Sequence, residues 1–325
     1  MNKLFILIFT VLATVHATAD DVGRGGYAGS YLRMGLGSAG MAMGGGSVAL
    51  VRDGCTSYYN PAGLVFLEKR WATASLHSMA LDRKLFHVGY AQSIKAKRGT
   101  RGKTQPFIRG GFSLGWICAG VDKIDGRDFD GRHTDMLSSW ENAFFFSFAM
   151  NPAPPIAFGF NGKLLYSRFA KVRNDGKAMT TAGFGFDIGI MVRPISDLTF
   201  GLVARDLRSR YSWNSKGVYE QETPTVDPFP AAVRAGAAWA GWNRRVILSC
   251  DLEKVEYFPN AFSFGVETRP VDGFFVRCGL VRDALTFGTG IQFIRGGVET
   301  VLDYALVPDP VAPRATHVIT CSAAF

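Results

Sequence analysis

The chain has 325 residues, 47% of them hydrophobic, with 38 glycines, 26 phenylalanines and a formal charge of +9. Such apolar content argues against a soluble secreted protein, which rarely exposes wide apolar areas. Five cysteines without a C-x-x-C pair argue against a disulfide framework. In a cytosolic protein the positive charge would suggest nucleic acid. For an exported chain it suits anionic lipid headgroups or solubility, and export is what the first residues indicate.

Residues 1–19 read as a secretory signal peptide. Lys3 supplies the positive start, Leu4 to Val15 an apolar core, and Ala17-Thr18-Ala19 a small-x-small cleavage site. That core is well short of the roughly 20 residues a membrane helix needs. A buried N-terminal helix is the competing reading. Residues 20–69 come next, rich in Gly and Ala with little alternation, as a compact lumen-filling segment would be. Gly35, Gly37 and Gly40 spell G-x-G-x-x-G there. A dinucleotide site needs a preceding strand, a following helix and an acidic residue about 20 positions on. Asp53 is too near and no βαβ pattern follows, so small residues packing a plug against a wall is the better account.

From residue 70 onward the chain alternates. Leu285, Phe287, Thr289, Ile291 and Phe293 point one way, and Thr286, Gly288, Gly290 and Gln292 the other. This period of two puts one side-chain set on each face of a strand. The same pattern predicts fourteen strands: 70–80, 85–94, 106–120, 140–150, 155–168, 178–193, 197–208, 230–241, 243–255, 259–269, 273–282, 284–294, 297–308 and 313–325. An even count leaves both ends on one side, as in single-chain bacterial barrels. Tight connections such as Asn151-Pro152-Ala153-Pro154, Pro194-Ile195-Ser196, Pro270-Val271-Asp272 and Arg295-Gly296 fall on the expected periplasmic side. The longest connections, 121–139 and 209–229, face outward. A basic stretch from Lys95 to Gln105 is the exception to this parity.

Polar residues alternate with the apolar ones in several strands: Asn161 and Lys163 against Phe158, Phe160, Leu164 and Tyr166; Asp251 and Glu253 against Leu248 and Leu252; Glu267 and Arg269 against Phe262 and Phe264. A dry sandwich core would penalise these charges, whereas a wet lumen tolerates them. The fold expected is therefore all-β: a fourteen-stranded antiparallel transmembrane β-barrel (70–325) with an N-terminal lumenal hatch (20–69). A barrel this wide exceeds what side chains fill, so it needs a plug or conducts solutes. Cys118, Cys250, Cys278 and Cys321 fall in strands as small wall residues. His77, His87, His133 and His317 are scattered, with no H-E-x-x-H and no Ser/His elbow, and are read as interfacial or loop residues. No catalytic residue, metal site or cofactor is expected.

The run Gly35-Leu36-Gly37-Ser38-Ala39-Gly40-Met41-Ala42-Met43-Gly44-Gly45, with Val48-Ala49-Leu50 and Asn60-Pro61-Ala62-Gly63-Leu64, resembles the N-terminal hatch of the PorV/PorQ family and the wider FadL-like barrels. Leu302-Asp303-Tyr304-Ala305, Pro308, Thr316-His317 and Phe325 resemble the last hairpin of the PorV/PorQ group. The resemblance covers both ends specifically and the middle by pattern. It implies an outer-membrane barrel passing long-chain fatty acids or other hydrophobic solutes, with outer-membrane lipid and the barrel-insertion machinery as partners and no nucleic acid. The alternative is a PorV-like component of type IX secretion or surface attachment, with secreted proteins as partners. The hatch residues would be Gly35, Gly37, Gly40, Asn60, Pro61, Ala62 and Gly63. Ile319, Cys321, Ala323 and Phe325 would face lipid together as an assembly signal. Gly110 and Gly111, paired glycines inside the third strand, are expected to mark a bulge or kink. In FadL-like barrels such a kink opens a lateral gap; clearing space for the hatch is the other reading of the pair.

Overall fold

The computed structural model describes residues 27–95, 109–170, 177–214, 224–309 and 311–325. The expected signal peptide and the basic stretch beyond residue 95 lie outside the described residues. Sixteen strands are described: β1 (Trp71–Ser78), β2 (Arg83–Lys95), β3 (Arg109–Arg127), β4 (His133–Ala153), β5 (Ile156–Ala170), β6 (Met179–Ile195), β7 (Leu198–Leu207), β8 (Arg210–Asn214), β9 (Pro224–Pro228), β10 (Ala232–Gly241), β11 (Val246–Val255), β12 (Ala261–Val271), β13 (Phe274–Val281), β14 (Ala284–Arg295), β15 (Val298–Pro308) and β16 (Ala315–Ala324). Fourteen close into one antiparallel barrel, β1 pairing with β16 and β7 with β10, while β8 and β9 form a separate ribbon. Closure leaves no free sheet edge, which is what lets strands cross a membrane.

Alternation sets the two faces. Phe144, Phe146 and Phe148 on β4, Phe158, Phe160 and Leu164 on β5, and Phe287, Ile291 and Phe293 on β14 all point outward and are 43–63% exposed. Ser147, Asn161, Lys163, Asp251, Glu267 and Thr286 point inward and are buried. An apolar belt around a closed barrel with a polar interior is the arrangement that hydrocarbon solvates and water does not. Short turns at 154–155, 196–197, 272–273 and 296–297 mark one rim, here the inner rim. Trp71 and Phe325 lie at the same rim, where the backbones of Arg70 and Phe325 exchange two hydrogen bonds.

Both long outward connections differ from expectation. Residues 121–139 are not a loop: β3 runs on to Arg127 and β4 begins at His133, making a ribbon with its turn at 128–132. His133 to Met136 are all exposed, so neither face there is apolar and the period of two vanishes while pairing continues. Register shifts after Val121 and after Asp125 mark the change. The second connection, 209–229, contains the β8–β9 ribbon, which folds back over the inner face of β6. Thr181 Oγ1 donates to Ser212 O at 2.8 Å, and a Cβ at inward-facing Gly183 would stand 2.1 Å from Arg210 O.

All five cysteines are free; Cys278 and Cys321 are exposed on the outer face, Cys118 and Cys250 half-buried, and Cys55 buried. On β16, Ile319 and Cys321 are exposed on the outer face, Ala323 is half-buried, and Phe325 beyond the strand end is exposed. Its ring lies 6.4 Å from that of Tyr90, at the inner end of the belt. Deleting Phe325 is expected to lower the fraction of heat-modifiable barrel in outer-membrane preparations severalfold. Unchanged insertion would remove Phe325 from any assembly signal.

Candidate functional site: the barrel lumen

Residues 27–69 lie inside the barrel as short turns: Ser30–Arg33, α1 (Ser38–Ala42), α2 (Thr56–Tyr59) and Pro61–Phe66. Helix α1 packs against β13 to β16, and the Pro61–Phe66 turn against β2 to β6, so the segment spans the lumen. Wall side chains satisfy its backbone. Ser38 N donates to Thr320 Oγ1 at 2.8 Å, Val48 N to Asp251 Oδ2 at 3.0 Å, and Thr286 Oγ1 donates to Ala42 O at 2.9 Å. A segment this short in regular structure leaves many backbone groups over, and a polar wall is what allows it to be buried.

Asn60 joins the segment to itself and to the wall. Its Oδ1 accepts from Ala62 N at 3.0 Å, closing an Asx-turn before the Pro61–Phe66 turn. Its Nδ2 donates to Val48 O at 3.1 Å and to Ile190 O of β6 at 3.0 Å. Pro61, Ala62 and Gly63 follow, all buried. Gly35 and Gly37 hold φ of 89° and 73°, and Gly40 sits in α1 where a Cβ would stand 2.6 Å from Tyr59 Oη. No strand precedes this glycine run among the described residues, so it lacks the context of a dinucleotide site.

The ladder is unbroken at the glycine pair of β3. Gly110 faces Met150 and Ile94, Gly111 faces Ala149 and Ser93, and the first register shift on β3 follows Val121. The expected bulge at this pair is therefore absent. A Cβ on Gly111 would stand 2.7 Å from the backbone of Leu64, whereas one on Gly110 would meet nothing nearer than 3.6 Å. The glycine makes room for the inner segment. Gly111→Val is expected to unseat residues 61–66 and speed proteolysis within 27–69, while Gly110→Val leaves it unchanged; equal behaviour of the two would contradict the packing.

A true irregularity lies on β7. Phe186 pairs with Leu207 and Ile188 with Ala204, so β7 carries one extra residue, and Asp206 there has φ of 56°. The consequence is that consecutive residues Arg205 and Asp206 are both buried inside. Lys163 Nζ sits 2.7 Å from Asp187 Oδ1 and 2.7 Å from Asp206 Oδ1, and Asn161 Nδ2 donates to Asp187 Oδ2 at 2.8 Å. Arg205 Nη2 donates to Leu32 O at 2.9 Å, its guanidinium 4.5 Å over the Tyr58 ring. Across the lumen, Glu267 accepts from Arg52 at 2.5 Å and from Arg277 at 2.7 Å, and Arg277 reaches Asp303 at 2.5 Å. Arg234 donates to Gly45 O at 2.9 Å and to Glu253 at 3.0 Å. Asn161, Lys163, Asp251, Glu253, Glu267 and Arg269 take the inward positions the alternation assigned. Asp187, Arg205 and Asp206 were not singled out; the adjacent charges 205–206 in a strand were the available signal.

The histidines divide. His77 and His87 are not interfacial but buried inside, because β1 and β2 place them in the inward register with Ser75 and Leu85. His87 stacks on Phe145 with ring centroids 6.1 Å apart, its Nδ1 4.0 Å from Cys55 Sγ. Burial, with Asp53 beside it, pushes the Cys55 thiol up, so it stays protonated. His133 pairs with Asp125 on the outer ribbon, and His317 with Tyr304 on the outer face.

Cavities lie on both sides of the segment. A cavity of about 340 Å³ at the inner rim lies between Leu50, Arg52 and Phe66 and the wall residues Arg193, Trp239 and Phe275. Arg193 covers the Phe66 ring at 4.4 Å. A second cavity, about 160 Å³, lies on the other side, between Met34, Met41 and Tyr59 and the outer ends of β12 to β15.

No family model matches the sequence, and no curated protein does. Solved structures do. A FadL homologue from Pseudomonas aeruginosa matches with a TM-score of 0.60 at 12% identity, over 89% of this chain and 98% of that one. The fold is that of the FadL-like channels. The toluene transporter TodX of Pseudomonas putida matches with a TM-score of 0.57 at 14% identity, over 89% of this chain and 96% of the other. The monoaromatic hydrocarbon channel CymD gives 0.55 at 13%, with the same coverage. Identities this low establish a shared architecture.

Proposed function

We propose that this chain is an outer-membrane channel for hydrophobic solutes, with residues 20–69 as its hatch. The observation that carries the reading is the division of the lumen. A segment held by side-chain hydrogen bonds and ion pairs separates an outer cavity from an inner one. Such contacts can be exchanged for water one at a time, so the segment can shift without the wall unfolding. The FadL-like fold, shared with a toluene transporter and hydrocarbon channels, supports the same reading. Long-chain fatty acids are one solute class it covers. In proteoliposomes, the full chain is expected to raise the uptake of labelled toluene or labelled fatty acid at least fivefold over empty vesicles. Equal rates for every solute would overturn the channel reading.

A second reading, a PorV-like component of type IX secretion, rests on the β3–β4 ribbon. It projects beyond the apolar belt with Phe129 fully exposed at its tip, a shape suited to a protein partner. Shortening the ribbon separates the two: solute passage survives it, and surface attachment of a secreted protein does not.

A further inference from the structure

The outer cavity combines three properties that a purely hydrocarbon route does not need together. Its volume is about 160 Å³, close to the roughly 150 Å³ apolar cavity that admits benzene. A long-chain fatty acid needs far more room, since sites for drug-sized ligands start at about 300 Å³. One side of the cavity is apolar and polarisable, with Met34, Met41 and Val307 beside the rings of Tyr58 and Tyr59. Thioether sulfur against a ring edge is a favourable contact.

The other side is cationic. Arg33, Arg205, Arg234 and Arg282 line the cavity against a single carboxylate, Glu253. Glu253 takes Arg234 Nη2 at 3.0 Å, and Asp251, behind the lining, lies 3.9 Å from Nη1. The deeper carboxylates Asp187 and Asp206 are closed around Lys163. Arg205 is 4% exposed; its Nη2 donates to the carbonyl of Leu32 and its guanidinium lies over the Tyr58 ring. The Nε atoms of both Arg205 and Arg234 are buried with no hydrogen-bond partner. A cavity lined by four guanidinium groups and one carboxylate favours an anionic oxygen, which accepts charge-assisted hydrogen bonds.

We propose that the outer cavity is a binding site for a single-ring organic anion, an aromatic carboxylate of benzoate size, with the carboxylate at Arg205 and Arg234 and the ring among Met34, Met41 and Tyr59. The assignment rests on the channel reading and narrows its substrate class. The ring fills the space that toluene would fill, and the carboxylate meets a guanidinium lining that toluene leaves unused.

The test is calorimetric titration of the purified full chain in detergent, with benzoate and with toluene as separate probes. Benzoate is expected to bind at least tenfold more tightly than toluene. Arg205→Met is expected to cost benzoate at least tenfold and leave toluene unchanged, and Met41→Trp, which fills the cavity and keeps the arginines, to abolish binding of both. Should Arg205→Met lose the heat-modifiable barrel, Arg234→Gln gives the same comparison. Equal affinity for the two probes, or benzoate binding indifferent to the arginine variants, overturns the proposal. In that event toluene flux into proteoliposomes still stands as the measure of the channel reading, which falls only if no solute crosses.

Discussion

Deleting residues 24–64 is expected to leave a folded barrel whose single-channel conductance in planar bilayers rises on the order of tenfold. Barrels of about 16 strands leave an aqueous channel, and fourteen strands come close to that width. The wall does not depend on the segment for its pairing, since the strand ladder closes through β1 and β16. Most wall groups that would lose a partner keep another: Glu267 retains Arg277 and Arg269, and Asp251 retains Arg234 within 3.9 Å. Water entering the lumen satisfies the remainder. Unchanged conductance in a heat-modifiable deletion variant would mean that residues 24–64 do not close the pore.

The second large effect is expected at Lys163. Its ammonium lies between Asp187 and Asp206, 2.7 Å from an oxygen of each, and all three residues are buried. Lys163→Met leaves two carboxylates facing each other without the ammonium that bridges them. Removing one partner from a buried ion pair costs about 3–5 kcal/mol. The temperature at which the barrel loses its heat-modifiable form should fall accordingly. Combining Lys163→Met with Asp206→Asn should recover much of the loss, because the like-charge pair is then gone. A single variant as stable as the parent would mean that water already solvates this cluster.

The barrel was legible in the sequence because a membrane enforces alternation more strictly than any other solvent. Where lipid lies on one side and the wet lumen on the other, each strand shows it, as β5 and β14 do. Legibility ended where that constraint ended. The upper parts of β3 and β4 stand in water on both faces, so His133 to Met136 carry no pattern while their backbones still pair. In the second connection β8 and β9 pair with each other and β8 lies on the inner face of β6, which gives them neither a lipid side nor a core side. For the site, inward residue types were readable and their partners were not. Alternation assigns Lys163 and Glu267 to the lumen; the extra residue on β7 turns Asp206 toward the first, and seating of the inner segment brings Arg52 to the second. At Gly110 and Gly111 the residue type was compatible with either a bulge or a close approach, and Leu64, more than forty positions earlier, decided it.

Thr320 ties two events of biogenesis together. Its hydroxyl bonds to Ser75 across the closing seam at 2.9 Å and to Ser38 of the inner segment at 2.8 Å, partners 245 and 282 positions away in the chain. Residues 61–66 rest on β2 to β6, all made early, while α1 rests on β13 to β16, made last. A nascent chain can thus dock the second half of its inner segment long before the first half has a surface to meet. Contacts this distant in sequence form slowly. Residues 38–42 therefore stay open to proteases until the final strand arrives, and the zipping of the seam and the seating of α1 become one step.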